Sequence, residues 1–202
     1  MKAKRSLDLT VALLMLTFLL PIFGLVAILI KLTSKGPVFY RQLRAGEGGD
    51  TFRMVKFRSM VVDAEHKGLK FEVASDDDRI TRVGKLLRGW GIDELPQLFN
   101  VLKGDVSLVG PRAARVDQIE HFTRDEFRRM TMKPGITGWA VVNGRNEIDW
   151  KKRIELDIWY VEHWSFWLDV KILLKTLWVI LVTRNGVYGP EGVTRDYTYD
   201  KP

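Results

Sequence analysis

In the run LLRGWGIDELPQLFNVLKGD, residues 86–105, two carboxylates, Asp93 and Glu94, stand side by side just before a proline and an apolar stretch. The pattern predicts a helix from Glu94 to Lys103, with Asp93 as N-cap, Pro96 in the first turn and Gly104 past the end. Capping alone can explain an Asp there, because acids complement the positive end of a helix. The same geometry also suits catalysis, since a helix N-terminus keeps a carboxylate ionised and attracts phosphate oxygens. Neighbouring helical residues point about 100° apart, so the pair cannot flank one bond as glycosidase carboxylates do. Division of labour fits better: one carboxylate attacks phosphorus, and the other holds a Mg²⁺ that neutralises a diphosphate.

Cations suited to phosphate stand near turns. Arg88 precedes the acidic pair, Arg112 lies in LVGPRAA and Arg145 in VVNGRNE, while KFRSM adds Lys56 and Arg58. Guanidinium grips phosphate bidentately and glycine-bearing turns let backbone approach a ligand, although each arginine taken singly reads equally as a surface charge. The absence of Cys rules out disulfides and thiolate zinc sites, and His66, His121 and His163 are scattered. Any metal is therefore expected on oxygen ligands. There is no Walker phosphate loop. The glycines of AGEGGD sit between two β-rich runs, PVFYRQL and TFRMVKF, which predict a hairpin and not a dinucleotide site. With 32 Lys+Arg against 25 Asp+Glu, the net charge of +7 points to an anionic partner.

The elements that must position these residues begin with Leu9–Ile30, 22 residues without a charge. As a helix this run is about 33 Å long, enough for a bilayer core. It continues directly into KLTSKGP without a cleavage pattern, so residues 1–35 read as a retained anchor. Lys2, Lys4 and Arg5 precede it and Lys31, Lys35, Arg41 and Arg44 follow it, which would keep both ends cytoplasmic. Pro21, near its middle, can kink the helix so that it enters and leaves by one leaflet; a single-pass helix with a tolerated proline is the alternative.

Residues 36–184 then form a mainly α catalytic domain with a small β-hairpin. Within 79–90, Ile80, Val83, Leu87 and Trp90 share a face, with Arg79, Arg82 and Lys85 turned away; this helix packs on a core or lies on anionic membrane. The segment 164–182 carries Phe166, Val170, Leu173, Leu174, Leu177 and Leu181 on one stripe and Trp164, Trp167, Lys171, Lys175 and Trp178 on the other. Mixed Trp and Lys suit headgroup depth, so a second interfacial amphipathic helix is expected. The tail 185–202 shows no periodicity.

Taken in order, KRSLD, the Pro-interrupted anchor, KFRSM, DELPQLFNVLKGD, SLVGPR, KPGITGW and NGRN resemble the monotopic phosphoglycosyl transferases, the bacterial sugar transferases, over almost the whole chain. The resemblance implies a Mg²⁺-dependent monotopic enzyme on the cytoplasmic face of the bacterial inner membrane, held in the lipid bilayer by a re-entrant helix. It would move phosphosugar from a UDP-sugar donor to a polyprenyl phosphate acceptor, undecaprenyl phosphate being expected, and release UMP at the start of surface glycan assembly. By analogy Asp93 is the nucleophile and Glu94 the Mg²⁺ ligand. Arg88 and Arg112 become candidates for lipid phosphate or intermediate, Arg145 with Asn143 for the nucleotide sugar, and Lys56 and Arg58 for substrate. Leu20, Ala113 and Val141 stand where the family commonly has Ser, Pro and Gln, changes that touch the kink and the pockets but not the acidic pair.

Two rivals carry distinct expectations. A non-catalytic anchored module that binds anionic lipid or nucleic acid predicts salt-sensitive binding without turnover. A glycosyltransferase that moves sugar alone predicts UDP release. Nucleic acid is the least expected partner, because the membrane elements already account for the basic charge. The sequence names neither the sugar nor an oligomeric state.

Overall fold

A computed structural model of the 202-residue chain describes residues 2–67, 73–74, 77–183 and 193–194. Helix α1 (Lys2–Thr33) runs unbroken through Pro21. Its buried residues are Lys4, Asp8, Ala12, Leu16, Phe23, Val26 and Ile30, with Leu19 half-buried in the gap. Steps of three and four put these on one face, which joins the main core. The other face turns Leu13, Leu14, Phe18, Leu25, Ile28 and Leu32 outward. By length and composition α1 could cross a membrane, and so extended an apolar surface is ill suited to water.

The KRSLD stretch is spent on anchoring α1 to the rest of the chain. Lys4 Nζ donates to the Val109 carbonyl at 2.8 Å, to Tyr160 Oη at 3.2 Å and to Asp169 Oδ2 at 2.6 Å. Asp169 also accepts from Tyr160 Oη at 2.6 Å and Trp164 Nε1 at 3.1 Å. Asp8 accepts from Ser107 Oγ at 2.9 Å and the Leu108 amide at 3.0 Å. At the far end of α1, Arg58 donates to the Ser34 and Lys35 carbonyls, so both ends are tied to one folded body.

The expected hairpin is present as β1 (Phe39–Ala45) and β2 (Thr51–Phe57), antiparallel, with Phe39 opposite Phe57 and Ala45 opposite Thr51. Further on, β3 (Val73–Ala74) pairs antiparallel with β6 (Val193–Thr194). Apart from β6, the expected tail 185–202 lies outside the described residues.

Helix α2 (Arg82–Trp90) starts later than the 79–90 pattern predicts, because the Thr81 hydroxyl caps it by accepting the Gly84 amide at 2.9 Å. Arg79 is therefore not part of an outward basic face. It is buried in an ion pair with Asp77 at 2.6 Å and also donates to the Ala64 and Lys67 carbonyls at 2.9 and 2.7 Å.

The acidic pair is placed differently from the prediction as well. Helix α3 is Gln97–Lys103, and Asp93 is not its N-cap. Gly91 ends α2 at φ 68°, and Ile92–Glu94 forms a 3-10 turn. The reason is Pro96, which has no N–H to give the Ile92 carbonyl four residues back; that oxygen instead takes the Leu95 amide at 3.2 Å, tightening the chain. The predicted end holds, with Lys103 last and Gly104 left-handed at φ 93°. Arg5 reaches the same end, donating to the Val101 and Leu102 carbonyls at 2.6 and 2.9 Å.

SLVGPR and KPGITGW meet as the parallel strands β4 (Ser107–Val109) and β5 (Gly135–Thr137). A Cβ on Gly110 would stand 2.4 Å from the Lys133 carbonyl oxygen and 2.8 Å from the Gly135 nitrogen. Backbone on both sides leaves no room to yield, so Gly110→Ala is expected to cost about 3 kcal/mol of unfolding free energy, measured by chemical denaturation. Short helices α4 (Val116–Ile119), α5 (Arg124–Phe127) and α6 (Trp139–Val142) lead to α7 (Trp150–Glu162) and α8 (Phe166–Trp178).

Neither predicted stripe of the last helix is its buried one. Asp169 and Ile172 face inward, with Leu168 and Leu173 beside them. Lys171 and Lys175 lie over the Trp139 ring at 5.8 and 5.2 Å. Trp167, Leu174, Leu177 and Trp178 are exposed, so the helix is amphipathic about an unexpected axis but still shows apolar and aromatic residues outward.

Candidate active site

The hairpin builds one wall. Its register sets Tyr40 opposite Lys56, Gln42 opposite Met54 and Arg44 opposite Phe52, and the period of two in a strand turns Tyr40, Gln42 and Arg44 to one side. Asn100 of α3 stitches the acidic segment to this wall. Its Oδ1 accepts the Val55 amide at 3.0 Å, while Nδ2 donates to the Arg53 carbonyl at 2.8 Å and Asp105 Oδ2 at 3.1 Å. A helix side chain here completes the hydrogen bonding of a strand edge, which fixes the distance between α3 and β2.

Lys56 and Glu94 meet as a result, Nζ to Oε1 at 2.7 Å. Burial works to raise the Glu94 pKa, but Lys56, Arg112 and Arg145 outweigh it and hold the carboxylate well below its ordinary range. Burial pulls the Lys56 amine down, against the attraction of Glu94. Asp93 behaves oppositely: burial, then the charge of Glu94, pushes its pKa up, against Lys56 and Arg88. Asp93 is 8% exposed, yet its side chain accepts no hydrogen bond within the described residues. Buried carboxylates are nearly always hydrogen-bonded, so neither capping nor packing accounts for this one.

Of the predicted cations, Lys56, Arg58, Arg88 and Arg112 line, with Asp93, a cleft of about 420 Å³. Arg145 is close enough to act electrostatically on both Asp93 and Glu94. Among the described residues, the guanidiniums of Arg88, Arg112 and Arg145 make no hydrogen bond or ion pair. The Arg112 backbone, by contrast, is clamped. Its amide donates to Asp157 Oδ2 at 3.3 Å and its carbonyl accepts from Arg129 Nη2 at 2.8 Å, with Arg129 and Asp157 forming a buried ion pair. Arg145 follows Gly144 and sits at φ 50°, a region non-glycine residues rarely adopt, so the NGR turn holds it under strain.

Two predicted residues are engaged elsewhere. Arg58 borders the cleft, but its guanidinium secures the end of α1, and Asn143 Nδ2 donates to the Trp139 carbonyl at 2.7 Å. The cleft also contains residues that the motifs did not single out, among them Arg44, Gln118 and Arg153. Alternation along β1 was the available signal for Arg44; a helical arginine such as Arg153 carries none.

No group of three or more metal-binding side chains exists among the described residues. Two adjacent carboxylates are nevertheless a donor set that fits Mg²⁺, which is commonly held by one or two carboxylates with substrate phosphates and water completing the shell.

Arg88, Arg112 and Arg145, without side-chain partners among the described residues, stand near a buried acid beside an apolar outer helix, an arrangement that suits phosphorylated ligands. The family follows from comparison: the model of the bacterial sugar transferases matches residues 1–183, and the chain belongs to that family. The sugar transferase EpsL of Bacillus subtilis, described as uncharacterized, is 46% identical over 195 residues, covering 96% of this chain and 94% of EpsL. The galactosyl transferase CpsE of Streptococcus agalactiae is 46% identical, covering 89% of this chain and 42% of CpsE. The undecaprenyl-phosphate glucose phosphotransferase of Komagataeibacter xylinus is 43% identical, covering 92% of this chain and 37% of that protein. The chain thus spans nearly all of EpsL and about two-fifths of the other two.

Proposed function

We propose that the protein transfers phosphosugar from a UDP-sugar to undecaprenyl phosphate or a similar polyprenyl phosphate, at the cytoplasmic face of the bacterial inner membrane. The carrying observation is Asp93, a buried carboxylate without a hydrogen bond among the described residues, facing a cleft also lined by Arg88 and Arg112, whose guanidiniums make no hydrogen bond or ion pair within that set. An Asp93 oxygen attacks the sugar-bearing phosphorus, the bond to the departing UMP oxygen breaks, and a covalent aspartyl phosphosugar, an acyl phosphate, remains. An oxygen of the lipid phosphate then attacks the same phosphorus and frees Asp93. One phosphoanhydride is exchanged for another, so no second energy source is needed. Arg88, Arg112 and Arg145 hold and orient phosphoryl oxygens. Glu94 is the residue that would hold Mg²⁺, which supplies neutralisation of the diphosphate charge.

The position of α1 supports a re-entrant anchor. A straight helix of 32 residues is about 48 Å long, yet its two ends are bonded to the same body, Lys4 to Val109 and Asp169, Ser34 and Lys35 to Arg58. A helix crossing the bilayer once would carry one of those ends away. The outward Trp167, Leu174, Leu177 and Trp178 of α8 suit the same interface.

The experiment is incubation of the detergent-solubilised protein with Mg²⁺ and a panel of UDP-sugars, followed by identification of the nucleotide released and intact mass. The expected result is UMP and a phosphosugar mass increment. Release of UDP would assign a sugar-only glycosyltransferase instead.

A further inference from the structure

We propose that Arg44 and Arg153 form a second phosphate subsite, which holds the phosphate of the departing nucleotide while the transferred phosphorus lies at Asp93. This assignment rests on the phosphosugar-transfer reading.

The cleft has two ends. At one, Phe57 packs on Phe23 of α1 with ring centroids 5.1 Å apart, and Arg88 comes from α2, which itself packs on α1. That end adjoins α1. Along β1, Tyr40, Gln42 and Arg44 line the wall in steps of about 6.6 Å, so Arg44 lies about 13 Å along the strand from Tyr40. There Arg44 forms a β-bridge with Arg115, the residue before α4, and the Ala45 amide donates to the Ala114 carbonyl at 2.9 Å. Arg153 enters the cleft from α7.

Neither cation is paired with a carboxylate among the described residues, although the Arg153 guanidinium lies over the Trp150 ring at 4.8 Å. Arg44 donates only to neutral oxygens, Gln42 Oε1 at 2.8 and 2.5 Å and the Ala113 carbonyl at 3.4 Å. Arg153 is 5% exposed, donates to the Ile148 carbonyl at 3.1 Å, and its Nε has no partner among the described residues. Neither forms an ion pair within that set. Burial, then Arg112, lowers each guanidinium to about 10, with Arg115 adding to the effect on Arg44. Guanidiniums buried against neutral oxygens are costly unless an anion completes them. Arg112 also acts on Lys56, Glu94 and Arg145, so it neighbours both these cations and the acidic pair. In-line displacement puts the leaving oxygen opposite the attacking one, and the second phosphate of a diphosphate therefore points away from Asp93.

The test compares the full-length wild type with Arg153→Lys and the pair Arg44→Gln/Arg153→Gln, all in detergent. Inhibition by UMP and by uridine is measured, together with transfer from phosphosugar-loaded enzyme to polyprenyl phosphate. The paired variant is expected to lose UMP inhibition at least tenfold while uridine inhibition and the acceptor KM stay unchanged. Arg153→Lys, which keeps charge without the fork, falls between. Unchanged UMP inhibition, an equal loss for uridine, or a raised acceptor KM would overturn the assignment. If the wild type releases no UMP from any donor, the phosphosugar-transfer reading itself falls.

Discussion

Asp93→Asn is expected to lower transfer by roughly a thousandfold or more while leaving the protein at least as stable as the wild type. The loss follows from removing the attacking oxygen's charge. The preserved stability follows from the structure: Asp93 caps no helix and accepts no hydrogen bond among the described residues, and its burial raises its pKa. A carboxyl whose folded pKa lies above its unfolded value destabilises the native state once ionised. Its contribution is lost as pH rises from about 3.9 through the raised value. The neutral amide escapes that loss, so the stability gap in favour of the Asp93→Asn variant should widen over that interval. Turnover, adduct mass and unfolding midpoint measured across pH check all three statements. A variant that unfolds early would show that the carboxylate holds the turn together.

Asp169→Ala should destabilise the protein by about 3–5 kcal/mol, because it strands Lys4 in a site where its side chain is 7% exposed and deprives Tyr160 and Trp164 of their acceptor. Adding Lys4→Met to Asp169→Ala removes both charges, and about 2 kcal/mol of that loss should return. Denaturant unfolding of the single and paired variants supplies the cycle. Equal destabilisation by the pair would place the energy in the Tyr160 and Trp164 contacts and not in the ion pair.

The parts that sequence made legible are those where local chemistry decides. The hairpin showed through β-rich runs around glycines, the end of α3 through Gly104, and α1 through its unbroken apolar length. The acidic pair was visible as composition but not as geometry, because a missing N–H at Pro96 changed the hydrogen-bonding step two residues before it mattered. Arg79 and Arg88 look alike in sequence; Asp77 and the carbonyls brought against Arg79 separate a cation spent on structure from one whose guanidinium has no partner among the described residues. The face that α8 buries was likewise hidden, since Asp169, an inward charge, finds its counter-ion 165 positions away. The long-range partners of Asn100 and Arg153 lie outside any periodicity.

The separation between Lys4 and Asp169 also orders how the chain comes together. During synthesis α1 leaves the ribosome well before residues 107–109 and 160–169, which satisfy Asp8 and Lys4. Until those arrive, both charges and the seven-residue buried face of α1 have no protein to meet. Contacts of such long sequence separation close late and slowly. The helix made before its partners is thus docked last, and a nascent chain stalled before α8 would hold the acidic pair and its cations without the buttress that seats them.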